Sequence, residues 1–87
     1  MVLILLDQRL IACATIIPEV ESVYRWEGKI EEGTETKVIL KTLPNHYPAI
    51  QKAILAHCSY AVPEIVQVDV PSGNPNYFCW VAEETSS

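Results

Sequence analysis

His57 and Cys58 stand next to each other, and they are the pair in this chain best suited to hold a metal. Imidazole and thiolate both bind Cu(I), Cu(II) and Zn(II) well. Two adjacent donors do not complete a site, because a structural zinc takes four ligands and a catalytic one three. The competing reading is structural: a histidine at a helix C-terminus complements the macrodipole, and a cysteine is usually core. His46 reads as a solvated loop residue. Cys13 opens an apolar stretch and reads as a small hydrophobe, while Cys79, beside Trp80, reads as a half-exposed thiol able to oxidise between chains. Neither has the His–Asp or His–Asn company of a nucleophilic cysteine, and no paired-carboxylate arrangement is visible, so an enzyme is the weakest class.

Tyr24, Trp26 and Tyr60, with Lys41, supply aromatic walls and a fixed cation. Such a set suits a small anion in a cleft between subunits, to which Glu64 can add a carboxylate. The same aromatics serve interface packing, which is the reading we favour for them. Glu27, Glu31, Glu32 and Glu35 form an acidic cluster around an expected turn. Their spacing matches no calcium loop, so they read as a solvated face.

The whole chain bounds these readings. Its 87 residues, 49% hydrophobic and 20% charged, make one domain over 1–87 with a polar tail at 83–87 expected to fray. Six basic against eleven acidic residues leave a net charge of −5, which argues against nucleic acid and anionic membranes as partners. Three glycines exclude a Gly-rich phosphate loop. The longest apolar run, Met1–Leu6, falls far short of the roughly 20 residues that span a bilayer, and it lacks the basic flank of a signal peptide. Three widely spaced cysteines without a CxxC pair indicate reduced thiols, and the cytoplasm is the expected compartment. So apolar a composition exceeds what a small domain can bury, and oligomerisation is the expected outlet.

The elements that must position these residues follow from periodicity. Leu3, Leu6, Leu10 and Ile11 recur at helical spacing, which predicts the end of a helix over Leu3–Ile11. Ala12–Ile17 is β-branched and reads as a strand, with Pro18 implying an edge or a bulge. Val20, Ser22, Tyr24 and Trp26 alternate with Glu21, Val23, Arg25 and Glu27. Glu27-Gly28-Lys29 and Glu32-Gly33-Thr34 read as turns, and alternation resumes over Thr36–Thr42, completing an antiparallel hairpin. After a breaker at Leu43–Pro48, a helix to about Cys58 carries Tyr47, Ile50, Ile54 and Cys58 on one stripe, and Tyr60–Pro63 ends it. Ile65–Val70 reads as a strand, and Asn74-Pro75 caps a last helix with Tyr77, Trp80 and Val81 inward. Helix, strand, strand, helix, strand, helix is an α+β string. One strand in front would make it βαββαβ, the ferredoxin-like unit, with an added C-terminal helix. That strand belongs in the middle of the sheet, and without it each unpaired buried backbone group costs about 1–3 kcal/mol. The expected explanation is an N-terminally shortened version of a longer protein.

Six ordered pieces then point to a family: Arg9-Leu10-Ile11-Ala12-Cys13 with Ile16-Ile17-Pro18; Ser22 through Glu32; Ile39-Leu40-Lys41-Thr42; His57 with Tyr60; Pro63-Glu64-Ile65; and Gly73-Asn74-Pro75-Asn76-Tyr77 ahead of Trp80. From Leu5 to Trp80 the chain resembles the CutA family, the divalent-cation tolerance proteins. The resemblance implies a ferredoxin-like homotrimer, similar in architecture to the PII signalling proteins, with long hairpin strands reaching neighbouring subunits. It also implies a role in tolerance of copper and other divalent cations with no clear enzymatic reaction attached, and His57 and Cys58 are the candidate ligands that their own chemistry puts forward. Two departures stand out. A first-strand cysteine proposed as a copper ligand in bacterial members is absent, and the His-Pro-Tyr or His-His-Pro-Tyr pattern reads His57-Cys58-Ser59-Tyr60. The alternative is a trimeric signalling or scaffolding module, including roles like the acetylcholinesterase anchoring of mammalian members. It would bind a small metabolite or a partner protein in clefts around Tyr24, Trp26, Lys41, Tyr60 and Glu64.

Overall fold

Two residues with positive φ set the direction of the longest element. In the computed structural model, which describes residues 1–59 and 62–86, β1 (Cys13–Trp26) and β2 (Lys29–Lys41) pair antiparallel. The ladder runs from Cys13↔Lys41 to Trp26↔Lys29, so Glu27 and Gly28 alone make the turn. Their φ values of 50° and 79° are those of a type I′ turn, whose twist matches the right-handed twist of the strands. The hairpin is the one the alternation predicts, but Glu32-Gly33-Thr34 is strand rather than turn. Gly33 pairs with Ser22, and the Tyr24 hydroxyl lies 3.8 Å from where a Gly33 Cβ would sit. An aromatic laid across a strand glycine fills the gap it leaves and holds the register.

Pro18 lies in a bulge. Ile17 pairs with Lys37 and Val20 with Glu35, so Pro18 and Glu19 together oppose Thr36, with Glu19 at φ 57°. Proline has no N–H to give a ladder, which is why the extra residue falls there. The bulge also shifts the alternation by one residue. Cys13, Thr15 and Ile17 therefore share a face with Val20, Ser22, Tyr24 and Trp26, and with Lys41 across the ladder.

The opposite face at the root of the hairpin carries the core. Leu5, Ile11 and Ile50 are buried together, with Leu10, Ala14, Leu40, Ala53 and Ile54 packed around them. Leu5 comes from α1 (Val2–Asp7), and Ile50 from α2 (Tyr47–His57), which follows a 3-10 turn at Pro44–His46. Pro48 sits in the first turn of α2, where no N–H is required. The first helix is shorter than its periodicity predicts. It closes in a Schellman motif: Leu10 N donates to Leu5 O (3.0 Å), Arg9 N donates to Leu6 O (3.1 Å), and Arg9 takes φ 56°. Leu10 and Leu5 supply the hydrophobic contact that goes with this motif.

Ile65–Val70 departs from expectation. It forms no ladder, and among the described residues the sheet has two strands, β1 and β2. Val66, Val68 and Val70 are all exposed, since a strand needs a neighbour to pair with and none of the described residues pairs with this segment. One tie holds the segment: Tyr47 Oη donates to Ile65 O at 3.2 Å. The last helix, α3 (Pro75–Glu84), begins as predicted, with the Asn74 side chain accepting from Asn76 N at 3.0 Å. Val81 is buried, whereas Tyr77 and Trp80, expected inward, are each 40% exposed with ring centroids 5.7 Å apart. The described elements form a small α+β, ferredoxin-like chain.

The turn offers a direct test. Asparagine tolerates positive φ better than glutamate, so Glu27→Asn is expected to raise stability by about 0.5 kcal/mol. Gly28→Ala meets nothing within 4 Å, yet it places a Cβ at φ 79° and is expected to cost about 1 kcal/mol, a fall in Tm of about 4–8 °C. Thermal denaturation followed by circular dichroism reads both.

Candidate metal and interface site

The last turn of α2 carries the imidazole. His57 is exposed, and its Nδ1 lies 3.0 Å from the Ala53 carbonyl, one turn back. This bond returns the side chain onto the carbonyl one turn back on its own helix, and it orients the ring. With Nδ1–H donating, Nε2 is the nitrogen left to accept a proton or a cation. Cys58 follows in extended conformation (φ −88°, ψ 137°), half-buried, so the backbone turns away from the helix between the two candidate ligands. Among the described residues no group of three His, Cys, Asp or Glu side chains comes close enough to hold an ion. His46 is half-buried in the 3-10 turn rather than in an open loop, and Cys79 is exposed on α3.

The proposed cleft is dispersed within one chain. The bulge puts Tyr24, Trp26 and Lys41 on one face of the ribbon, but Trp26 pairs with Lys29 at the tip and Lys41 with Cys13 at the root. Twelve residues of strand separate those rungs, about 40 Å at 3.3 Å per residue. No single chain can close one pocket around both. Glu64 is exposed ahead of the extended segment, and Tyr60 lies outside the described residues.

At the root, Lys41 is held rather than mobile. Its Nζ donates to the Thr15 hydroxyl and lies 3.8 Å from Cys13 Sγ, which makes Cys13 a neighbour of a cation as well as a half-buried apolar residue. The glutamates of β2 are exposed, and Ser22 Oγ donates to Glu35 at 3.2 Å across the ladder. One constellation was not legible in the sequence. Arg9 Nη1 donates to the backbone carbonyls of Glu83, Glu84 and Ser86 at 3.3–3.4 Å, joining the end of α1 to the end of α3. No local spacing signals a contact between residues 74 or more positions apart.

Comparison with known proteins places this geometry. Residues 1–84 match the family model described as CutA1 divalent ion tolerance protein. The chain is 38% identical over 81 residues to Protein CutA of Mus musculus, covering 93% of this chain but only 46% of the mouse protein. It is 37% identical to the divalent-cation tolerance protein CutA of Thermus thermophilus, covering 79% of that protein. Among solved structures, the periplasmic divalent cation tolerance protein CutA of Archaeoglobus fulgidus superposes with a TM-score of 0.94 at 32% identity, over 98% of this chain and 82% of that one. CutA1 of Ehrlichia chaffeensis superposes at 0.89 with 37% identity. The sequence pieces, the hairpin and the superpositions agree, and this chain belongs to the CutA1 divalent ion tolerance family.

Proposed function

We propose that this chain serves divalent-cation tolerance without an enzymatic reaction, binding copper through His57 and Cys58 in a homotrimer of the cytoplasm. The observation that carries the proposal is the His57 ring, oriented through Nδ1 on the Ala53 carbonyl. Metal-binding histidines typically donate their second ring N–H to a carbonyl or carboxylate in this way, which fixes the tautomer and presents the other nitrogen. An imidazole and a thiolate fit Cu(I) or Cu(II), but two donors leave the coordination sphere incomplete. A second chain is the natural source of the rest. The assembly has its own support, since the chain is 49% hydrophobic and yet Leu5, Ile11, Ile50 and Val81 are the buried apolar residues among those described.

Titration of the reduced protein with Cu(II) tests the ligand assignment. Binding is expected to weaken roughly tenfold or more in His57→Ala, a loss of the size seen when metal-site groups are removed. Unchanged binding in that variant refutes the assignment.

A second reading has an observation in its favour: Tyr24 and Trp26 are 44% and 42% exposed on the free half of the hairpin, on the same face as Lys41. In this reading the assembly brings the tip of one hairpin to the root of another and forms a cleft for a small anion or a partner protein. Trp26→Asp is expected to shift the sedimentation coefficient toward that of the single chain, and His57→Ala to leave it unchanged. Sedimentation velocity at micromolar concentration reads both, and an unaltered coefficient in Trp26→Asp removes the aromatic tip from the interface.

A further inference from the structure

We propose that α3 is a detachable strap, latched to the hairpin root by the Arg9 guanidinium. Arg9 occupies the left-handed C′ position of the Schellman motif, where glycine is the favoured residue. A side chain at positive φ carries a conformational cost, and an outlier of this kind is a pointer to a role beyond the turn. Here the backbone geometry sends the guanidinium across to α3, where one nitrogen serves three carbonyls, those of Glu83, Glu84 and Ser86. Glu83 and Glu84 belong to the last turn of α3 and Ser86 lies two residues beyond it, at the end whose dipole favours a cation; the Glu83 carbonyl also accepts from Ser86 N and Oγ.

Little else ties α3 down. Val81 is its buried apolar residue, and it stands outside the cluster of Leu5, Ile11 and Ile50 that joins α1, α2 and the hairpin. Thr85 is also buried, but its hydroxyl donates back to Val81 O at 2.8 Å, within the same segment. Tyr77 and Trp80 touch each other and are both 40% exposed. Under the latch lies an open cleft lined by Leu6, Asp7, Ile11 and Ala12, with Glu84 on the helix side. The guanidinium thus bridges two bodies: a root held by packing, and a helix held by few contacts. Elements with little buried apolar surface open at lower free energy than the core. Opening of α3 frees Val81 and the Tyr77–Trp80 face together, while the hairpin stays paired.

Amide hydrogen exchange of the whole chain, resolved by segment, tests the latch. In the unaltered protein the α3 amides are expected to exchange as one block and faster than the slowest β1–β2 amides. Arg9→Gly supplies the residue the turn favours and removes the Arg9 side chain with its guanidinium, so any loss at α3 is not a defect of the turn. It is expected to lower α3 protection about tenfold, with hairpin protection unchanged within about twofold. Arg9→Lys, which retains a cation, is expected to fall between the two. Equal protection of α3 and the hairpin in the unaltered protein overturns the proposal. So does an unchanged α3 in Arg9→Gly, or a loss spread evenly over the chain.

Discussion

The root of the hairpin is the constraint on which the rest of the chain depends. There the Cys13↔Lys41 rung is extended by Ala12 N donating to Lys41 O at 2.9 Å, and Thr42 Oγ1 donates to Leu10 O. These bonds tie the incoming chain to the outgoing one where both leave the sheet. Ala14 and Leu40 then present the face on which α1 and α2 bury Leu5 and Ile50. Beyond that face the ribbon continues to Trp26 and Lys29, and most of its side chains there are exposed. The molecule is therefore a packed base with a long two-stranded arm. Isolated two-stranded arms are marginal in water, so the type I′ turn and the cross-strand pairs carry the distal half.

A scarcity of glycine explains both what the sequence made legible and what it hid. Elements announced by period were readable: the alternation over Val20–Glu27, the stripe through Ile50 and Ile54, and the Asn74-Pro75 cap all appear where their residues indicate. Corners were not readable where a side chain occupies a conformation that usually signals glycine. Arg9, Glu19 and Glu27 all have positive φ, one at the end of α1, one at the bulge and one at the hairpin tip. With no glycine at Arg9, the periodicity of Leu3, Leu6 and Leu10 ran past the true helix end at Asp7. The converse error came from Gly33, which sits inside a strand beneath Tyr24 and looked like a turn.

The helix end that carries the candidate pair was legible in the sequence. His57 and Cys58 fall at a helix end as the pattern indicated, because a stripe that ends before a breaker fixes where the last turn lies. The separation of Trp26 from Lys41 could not be read from spacing along one chain, because register decides it and register depends on the bulge. The long-range contact of Arg9 with the end of α3 was hidden for a related reason, since it depends on the handedness of one residue at a corner. Ile65–Val70 shows the limit of propensity: its residues favour a strand, yet a strand exists only where another chain segment offers hydrogen bonds.

The bulge at Pro18–Glu19 also sets a parity. Side chains on a strand alternate with period two, and the bulge lets β1 hold one residue more than β2, 14 against 13, without exchanging the sides of what lies beyond it. Counted from the root, the distal arm carries Tyr24 and Trp26 on the side of Cys13 and Lys41, and Glu21, Val23 and Arg25 on the other, because the additional residue is absorbed at the corner. Loss of either corner residue would give an even ladder with the other rungs and both surfaces kept, whereas a ladder that ran straight through both residues would turn the charged side to where the aromatics now stand. The corner thus works as a slack in the count, and it lets the arm keep one chemistry on each side along its whole length.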